Sequence, residues 1–131
     1  MQVDRKEYKE LQPKVLVIDD DDNIRSAFEE FFRKEHCTMI TASTAENALA
    51  YLEKHHVDLL ISDLEPKADS GTGFSLKVKV LRPNLPVILI ADDPETIKKK
   101  EITSFGADDV LVKPLEIGRL RSAVRACLRK Q

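Results

Sequence analysis

The apolar run Val15-Leu16-Val17-Ile18 passes without a spacer into four aspartates, Asp19-Asp20-Asp21-Asp22. A short, largely β-branched run with no alternating polar positions marks a strand buried on both faces, as in a parallel sheet covered by helices. In such sheets ligands bind beyond the carboxyl ends of the strands, where this acidic cluster falls. Carboxylates crowded there repel one another, and that repulsion costs stability unless positive charge sits among them. A divalent cation with oxygen ligands is the simplest source of that charge. The plainer alternative is a solvated loop with one aspartate capping the next helix. It suits Asp21 and Asp22, with Asp22 expected as the N-cap before Asn23-Ile24-Arg25. For Asp19 and Asp20 the choice depends on what the other strands bring to the same edge.

Strand-like and helix-like segments alternate five times along the chain. The expected strands are Lys14–Asp19, Thr38–Ala42, Leu59–Asp63, Val87–Ala91 and Asp109–Val112. Between them, Ile24, Ala27, Phe28, Phe31 and Phe32 repeat at helical spacing and share one face. Ala45, Ala48, Leu49 and Leu52 do the same behind a Thr44 cap, as do Ile117, Leu120, Val124 and Leu128 near the end. A short third helix is expected from Gly73 to Leu81, stopped by Pro83. A fourth, over Glu95–Phe105, has sparse apolar positions, and its Lys98-Lys99-Lys100-Glu101 stretch reads as a solvated face. Repeated βα units imply a parallel sheet with helices on both faces. Residues 1–13 fall outside the pattern as an N-terminal extension, and 14–130 form one domain.

At 131 residues the chain suits a single domain with one good core. A net charge of −2 gives no electrostatic case for direct nucleic-acid or anionic-membrane binding. The two cysteines, Cys37 and Cys127, belong to no CxxC or Cys/His cluster, so a disulfide framework or zinc site is not expected. No apolar stretch approaches the ~20 residues that span a bilayer, and the charged start is no secretory signal. A cytoplasmic location is the expectation. His36, His55 and His56 have no partner pattern, and His55-His56 is expected to meet the carbonyls at a helix end.

The strand ends then gain their meaning together. The first strand ends in Asp19-Asp20, the third in Asp63 and the fifth in Lys113-Pro114. A lone aspartate at a strand end is usually a turn residue, and a lone lysine is usually solvated. Three carboxylates and an ammonium converging on one edge are harder to explain that way. With the pieces Val15–Asp20, Asp58–Asp63, Pro86–Ile90 and Phe105–Pro114 in this order and spacing, the sequence resembles the receiver domain of two-component response regulators. The resemblance implies a (βα)5 flavodoxin-like three-layer sandwich whose five-stranded parallel sheet has the order 2-1-3-4-5. It also implies Asp63 as phosphoacceptor and Lys113 as partner of the phosphoryl oxygens, with a cis bond before Pro114. Mg²⁺ would be held by Asp19, Asp20, Asp63 and the main-chain carbonyl of Glu65.

The chain departs from the family pattern at four places. Ala91 stands where the family has Thr or Ser, and the 22-residue step from Ala91 to Lys113 argues against a shifted alignment. Val110 stands where the family tends to have Tyr or Phe. The Thr–aromatic pair that couples phosphorylation to an output face is therefore missing. After Asp63, Pro66 comes one residue early, and either Gly71 or Gly73 could match the family's single glycine. Asp92 adds negative charge near the phosphate position, while Ser70 or Thr72 could supply a hydroxyl but reads first as a loop residue.

The leading expectation is a phosphoacceptor that takes phosphate from a histidine kinase or phosphotransfer protein and changes a protein-binding surface. Such a chain is a switch that slowly dephosphorylates itself, not a turnover enzyme. Its downstream target could lie on another protein or on an output domain, with weak homodimerisation allowed. The alternative is a degenerate receiver acting as a phosphorylation-independent interaction module, motivated by Ala91 and Val110. An unrelated flavodoxin-like enzyme lacks support, since no glycine-rich phosphate-binding fingerprint follows a strand. The chain stops after the last helix without a DNA-binding or enzymatic segment, as a stand-alone receiver or a piece of a longer regulator would.

Overall fold

A computed structural model describes residues 11–19, 21–63, 69–91 and 106–129, with the side chains of 69–73 excluded. The strands are β1 (Lys14–Ile18), β2 (Thr38–Ala42), β3 (Leu59–Asp63), β4 (Val87–Ala91) and β5 (Asp109–Val112). Among the described residues the helices are α1 (Asp22–Lys34), α2 (Ala45–Lys54), α3 (Asp69–Leu81) and α4 (Ile117–Arg129). The five strands are all parallel and lie in the order β2-β1-β3-β4-β5, as expected. The expected helix over 95–105 lies outside the described residues.

The strand period of two divides the core into two layers. Val15, Val17, Leu59, Ile61, Ile88, Ile90 and Leu111 point to one face, where they pack on Phe28, Phe31 and Phe32 of α1 and Leu120, Val124 and Cys127 of α4. Leu16, Ile18, Leu60, Val87 and Leu89 point to the other, against Ala48 and Leu52 of α2 and Phe74 and Val78 of α3. Both faces are covered, which is why β1, β3 and β4 read as unbroken apolar runs.

Some boundaries and contacts differ from expectation. The β1 ladder stops at Ile18, one residue early. The N-cap of α1 is Asp21, whose carboxylate accepts the Asn23 N–H, while Asp22 is the first helical residue. Thr44 caps α2 as expected, accepting the Asn47 N–H. Helix α3 begins at Asp69, four residues before the expected Gly73. Glycine costs about 1 kcal/mol against alanine inside a helix, so Gly71 and Gly73 masked its first turn. Ile117 is 53% exposed rather than buried on the inner face of α4. The histidine pair does not serve helix carbonyls through its rings: His55 stacks on Tyr51, and His56 Nε2 lies 2.8 Å from Asp58 Oδ1.

Candidate functional site

Strand register builds the site. In the β1–β3 ladder Ile18 is level with Ser62, so the next residues, Asp19 and Asp63, stand side by side at the carboxyl edge. Asp63 is level with Ile90 of β4, and Ala91 is level with Val112 of β5, immediately before Lys113. The Lys113 N–H donates to the Ala91 carbonyl at 2.9 Å, extending the β4–β5 ladder by one bond. From there the Lys113 side chain crosses the end of β4, and its ammonium donates to Asp63 Oδ2 at 3.0 Å. Two strand spacings, about 10 Å, separate β3 from β5, so an extended lysine reaching towards an aspartate suits the span. The Lys113–Pro114 peptide bond is cis.

Asp19 is 4% exposed. Its Oδ1 accepts the Asp21 N–H at 2.8 Å, and its main-chain carbonyl accepts from Arg25 Nη2 at 3.2 Å. Asp21 in turn caps α1, so one chain of hydrogen bonds ties the end of β1 to the first turn of the helix. Arg25 was not singled out as a site residue by sequence reasoning. It lies six residues beyond Asp19, one turn inside a helix whose cap aims that turn back at the strand end, and that placement is the signal that could have found it. Arg25 Nε is buried with no hydrogen-bond partner among the described residues.

Ala91 is 2% exposed and packs with Leu89 in the second core layer, against which Val110 and Ala107 also lie. The site's β4 position therefore carries a buried methyl group. An apolar cavity of about 290 Å³, lined by Ile24, Phe28, Pro114 and Ile117 among others, opens beside Lys113 between α1 and α4.

Of the expected site residues, the structure brings together Asp19, Asp63 and Lys113, with Ala91 beneath the Lys113 span. Val110 sits on β5, three residues before Lys113 and away from the edge. Asp20, Glu65, Pro66 and Asp92 lie outside the described residues, as do the side chains of Ser70 and Thr72. Among the described residues no group of three acidic, histidine or cysteine side chains is placed to hold a metal. What is described is a pair of neighbouring strand-end carboxylates, a hard oxygen donor set of the kind Mg²⁺ prefers.

The comparisons with known proteins fall on this same frame. The family model for the response regulator receiver domain matches residues 15–125. The chain belongs to that family. The receiver is similar to the heme response regulator HssR of Staphylococcus saprophyticus, with 34% identity over 117 residues, covering 88% of this chain and 51% of that one. It is also similar to the response regulator ArlR of Staphylococcus aureus, with 29% identity over 117 residues, covering 89% and 53%. The receiver thus spans about half the length of the curated relatives it matches. Among solved structures, the chemotaxis response regulator CheY4 of Vibrio cholerae aligns with a TM-score of 0.79 and 27% identity, covering 89% of this receiver and 99% of CheY4. Family and fold together place the receiver in two-component signalling. Among the described residues no helix is long and apolar enough to cross a membrane.

Proposed function

We propose that this receiver takes phosphate onto Asp63 from a histidine kinase or phosphotransfer protein, in the presence of Mg²⁺, and thereby alters a surface read by another protein. The observation that carries the reading is the 3.0 Å contact between the Lys113 ammonium and Asp63 Oδ2, beside the buried Asp19. In the step itself, an Asp63 carboxylate oxygen bonds to phosphorus while the bond from phosphorus to the donor nitrogen breaks. The nitrogen leaves with the electron pair and is protonated on the donor.

Phosphoryl transfer depends chiefly on positioning and on stabilising the charge spread over the phosphoryl oxygens. Lys113 supplies one positive charge, already held beside the nucleophile by its own strand. Asp19, Asp20, Asp63 and the Glu65 carbonyl would hold Mg²⁺, which when bound neutralises phosphoryl charge and relieves the repulsion between the carboxylates. Arg25 positions Asp19 through its main-chain carbonyl. Hydrolysis of the acyl phosphate by water returns Asp63 to its carboxylate, so the receiver is a switch rather than a turnover enzyme.

Ala91 and Val110 favour a second reading for the output. With a methyl group at the β4 end, no side-chain hydroxyl there follows the phosphoryl group, and Val110 brings no large ring to reposition. A degenerate receiver that binds its partner without phosphate accounts for these two residues equally well. Intact-mass measurement after incubation with Mg²⁺ and acetyl phosphate tests the choice. A single phosphate adduct, absent in Asp63→Asn, supports the phosphoacceptor; no adduct, even with a cognate kinase, supports the interaction module.

A further inference from the structure

The outward side of α3 has the wrong polarity for a solvated helix. Phe74 and Val78 are buried against the sheet. One turn apart on the opposite side, Leu76 is 48% and Val80 84% exposed, where a surface helix ordinarily carries polar residues. Leu81, also exposed, leads from this pair to a cavity of about 660 Å³, bordered by His56, Val57, Arg82 and Pro83. This cavity adjoins the end of α3 remote from the Asp63 edge.

The charge that the chain itself carries along this stretch has one sign. The sequence contains no aspartate or glutamate from Ser70 through Ala91, although the chain as a whole carries a net charge of −2. Lys77 is exposed beside Leu76 and Val80. Arg82 is exposed too, with its guanidinium anchored by two hydrogen bonds, at 3.2 and 2.6 Å, to the Leu52 carbonyl at the end of α2. Lys79 is drawn off to the other side, where its ammonium meets the Leu85 carbonyl and Asp108. The result is an apolar strip flanked by two cations, one of them held in place.

We infer that this face of α3, continued into the cavity beside Leu81, docks an acidic amphipathic helical segment of a partner protein. The apolar side of such a segment would cover Leu76, Val80 and Leu81, and its carboxylates would meet Lys77 and Arg82. Anchors spaced i, i+3 or i+4, and i+7 suit a strip of this length. A second copy of the chain fits poorly, because a two-fold contact would set Lys77 and Arg82 against their own images. A lipid surface fits poorly as well, since membrane recruitment by charge relies on clusters of about 4–8 basic residues. The inference is independent of phosphate transfer at Asp63.

The test pans the whole chain against a displayed library of random helical peptides of about four turns, counter-selected on the Leu76→Glu/Val80→Glu double variant. The expected result is enrichment of net-negative peptides with apolar residues on one face. A synthetic consensus peptide should bind the native chain at least ~10-fold tighter than the double variant, a difference well within reach of two interface anchors. Lys77→Glu alone should also weaken it, while circular dichroism and phosphate acceptance at Asp63 stay unchanged. Enrichment of neutral or basic peptides, or none beyond the double variant, overturns the inference. So does phosphatidylglycerol-vesicle binding or self-association that the double variant abolishes, which would assign the face to lipid or to a second copy.

Discussion

The Lys113 ammonium lies 3.0 Å from Asp63 Oδ2, joining the ends of two strands that are not neighbours in the sheet. Strand β4 lies between them and ends in Ala91, which is buried and small. The cation beside Asp63 is thus supplied by topology: it arrives on the fifth strand and reaches the third across the end of the fourth. Asp19 arrives by a different route, from the adjacent strand, and is held by the cap of α1 and by Arg25.

Replacing Lys113 by methionine keeps the bulk of the side chain and removes its charge. A hydrogen bond to a charged group is worth about 1.5–3 kcal/mol. If that bond is made to the phosphoryl group in the transition state, phosphorylation of Lys113→Met by acetyl phosphate should be slower by roughly tenfold to a hundredfold. The rate of adduct formation, followed by intact mass, provides the check. An unchanged rate would remove Lys113 from the chemistry and leave it a structural ion pair.

Binding of beryllofluoride, a phosphoryl mimic, should perturb the loops after β1 and β3 more than residues further from the site. In Ala91→Thr a hydroxyl becomes available to follow the mimic, and chemical-shift changes should spread along β5 and the segment before it. A two-state element moves only by the difference in interaction that each state gains, and the native Ala91 offers little. Equal, widespread shifts in both proteins would show that another residue transmits the signal.

The carboxylate of Glu35, at the end of α1, is held below the usual range first by its hydrogen bonds from Arg125 and then by the charges of Arg125, Arg121 and His36, against the opposing effect of burial. A depressed value means that this stabilisation is present above the unfolded-state carboxylate range and is lost as pH falls through the folded-state value. Arg125 is largely exposed and screened, so Arg125→Ala should cost about 1 kcal/mol or less at neutral pH. The difference from the native chain in urea unfolding should shrink below roughly pH 4.3, where more than half of unfolded glutamate is protonated. A gap that persists into acid would mean that Arg125 acts through packing.

At the turn before β5, Gly106 has φ +76°, and a Cβ there would approach Lys79 Cγ to 2.8 Å. That lysine joins α3 to Asp108, whose Oδ2 also accepts the Val87 N–H. Gly106→Ala should therefore lower stability by about 1–2 kcal/mol for its left-handed backbone alone, with the displaced Lys79 adding to it. Urea denaturation measures this. A neutral effect would mean that the turn and Lys79 can both relax.

Much of this architecture was legible because few residues carry it. Val15–Ile18, Leu59–Ile61 and Val87–Ile90 are short apolar runs that suit strands covered on both sides, and the aromatic stripe of Phe28, Phe31 and Phe32 faces inward. The convergence of Asp19, Asp63 and Lys113 was readable because each directly follows or ends such a strand. Less visible were features that depend on angles rather than on patterns. Asp21 and Asp22 are equally good caps by composition, and only the extended backbone at Asp21, with its carboxylate on the Asn23 N–H, distinguishes them. The start of α3 was hidden by its glycines. The contact of Arg25 with the Asp19 carbonyl depends on how α1 folds back over the strand end, which spacing alone does not specify.

The central claim, that Asp63 accepts the phosphate, is tested most directly by locating the acyl phosphate. The chain is incubated with Mg²⁺ and acetyl phosphate, then treated with borohydride, which reduces an aspartyl phosphate to homoserine, and its peptides are sequenced by mass spectrometry. The account predicts homoserine at position 63 only, dependent on Mg²⁺. Homoserine at Asp19 or another aspartate, or at none despite several donors, would contradict it.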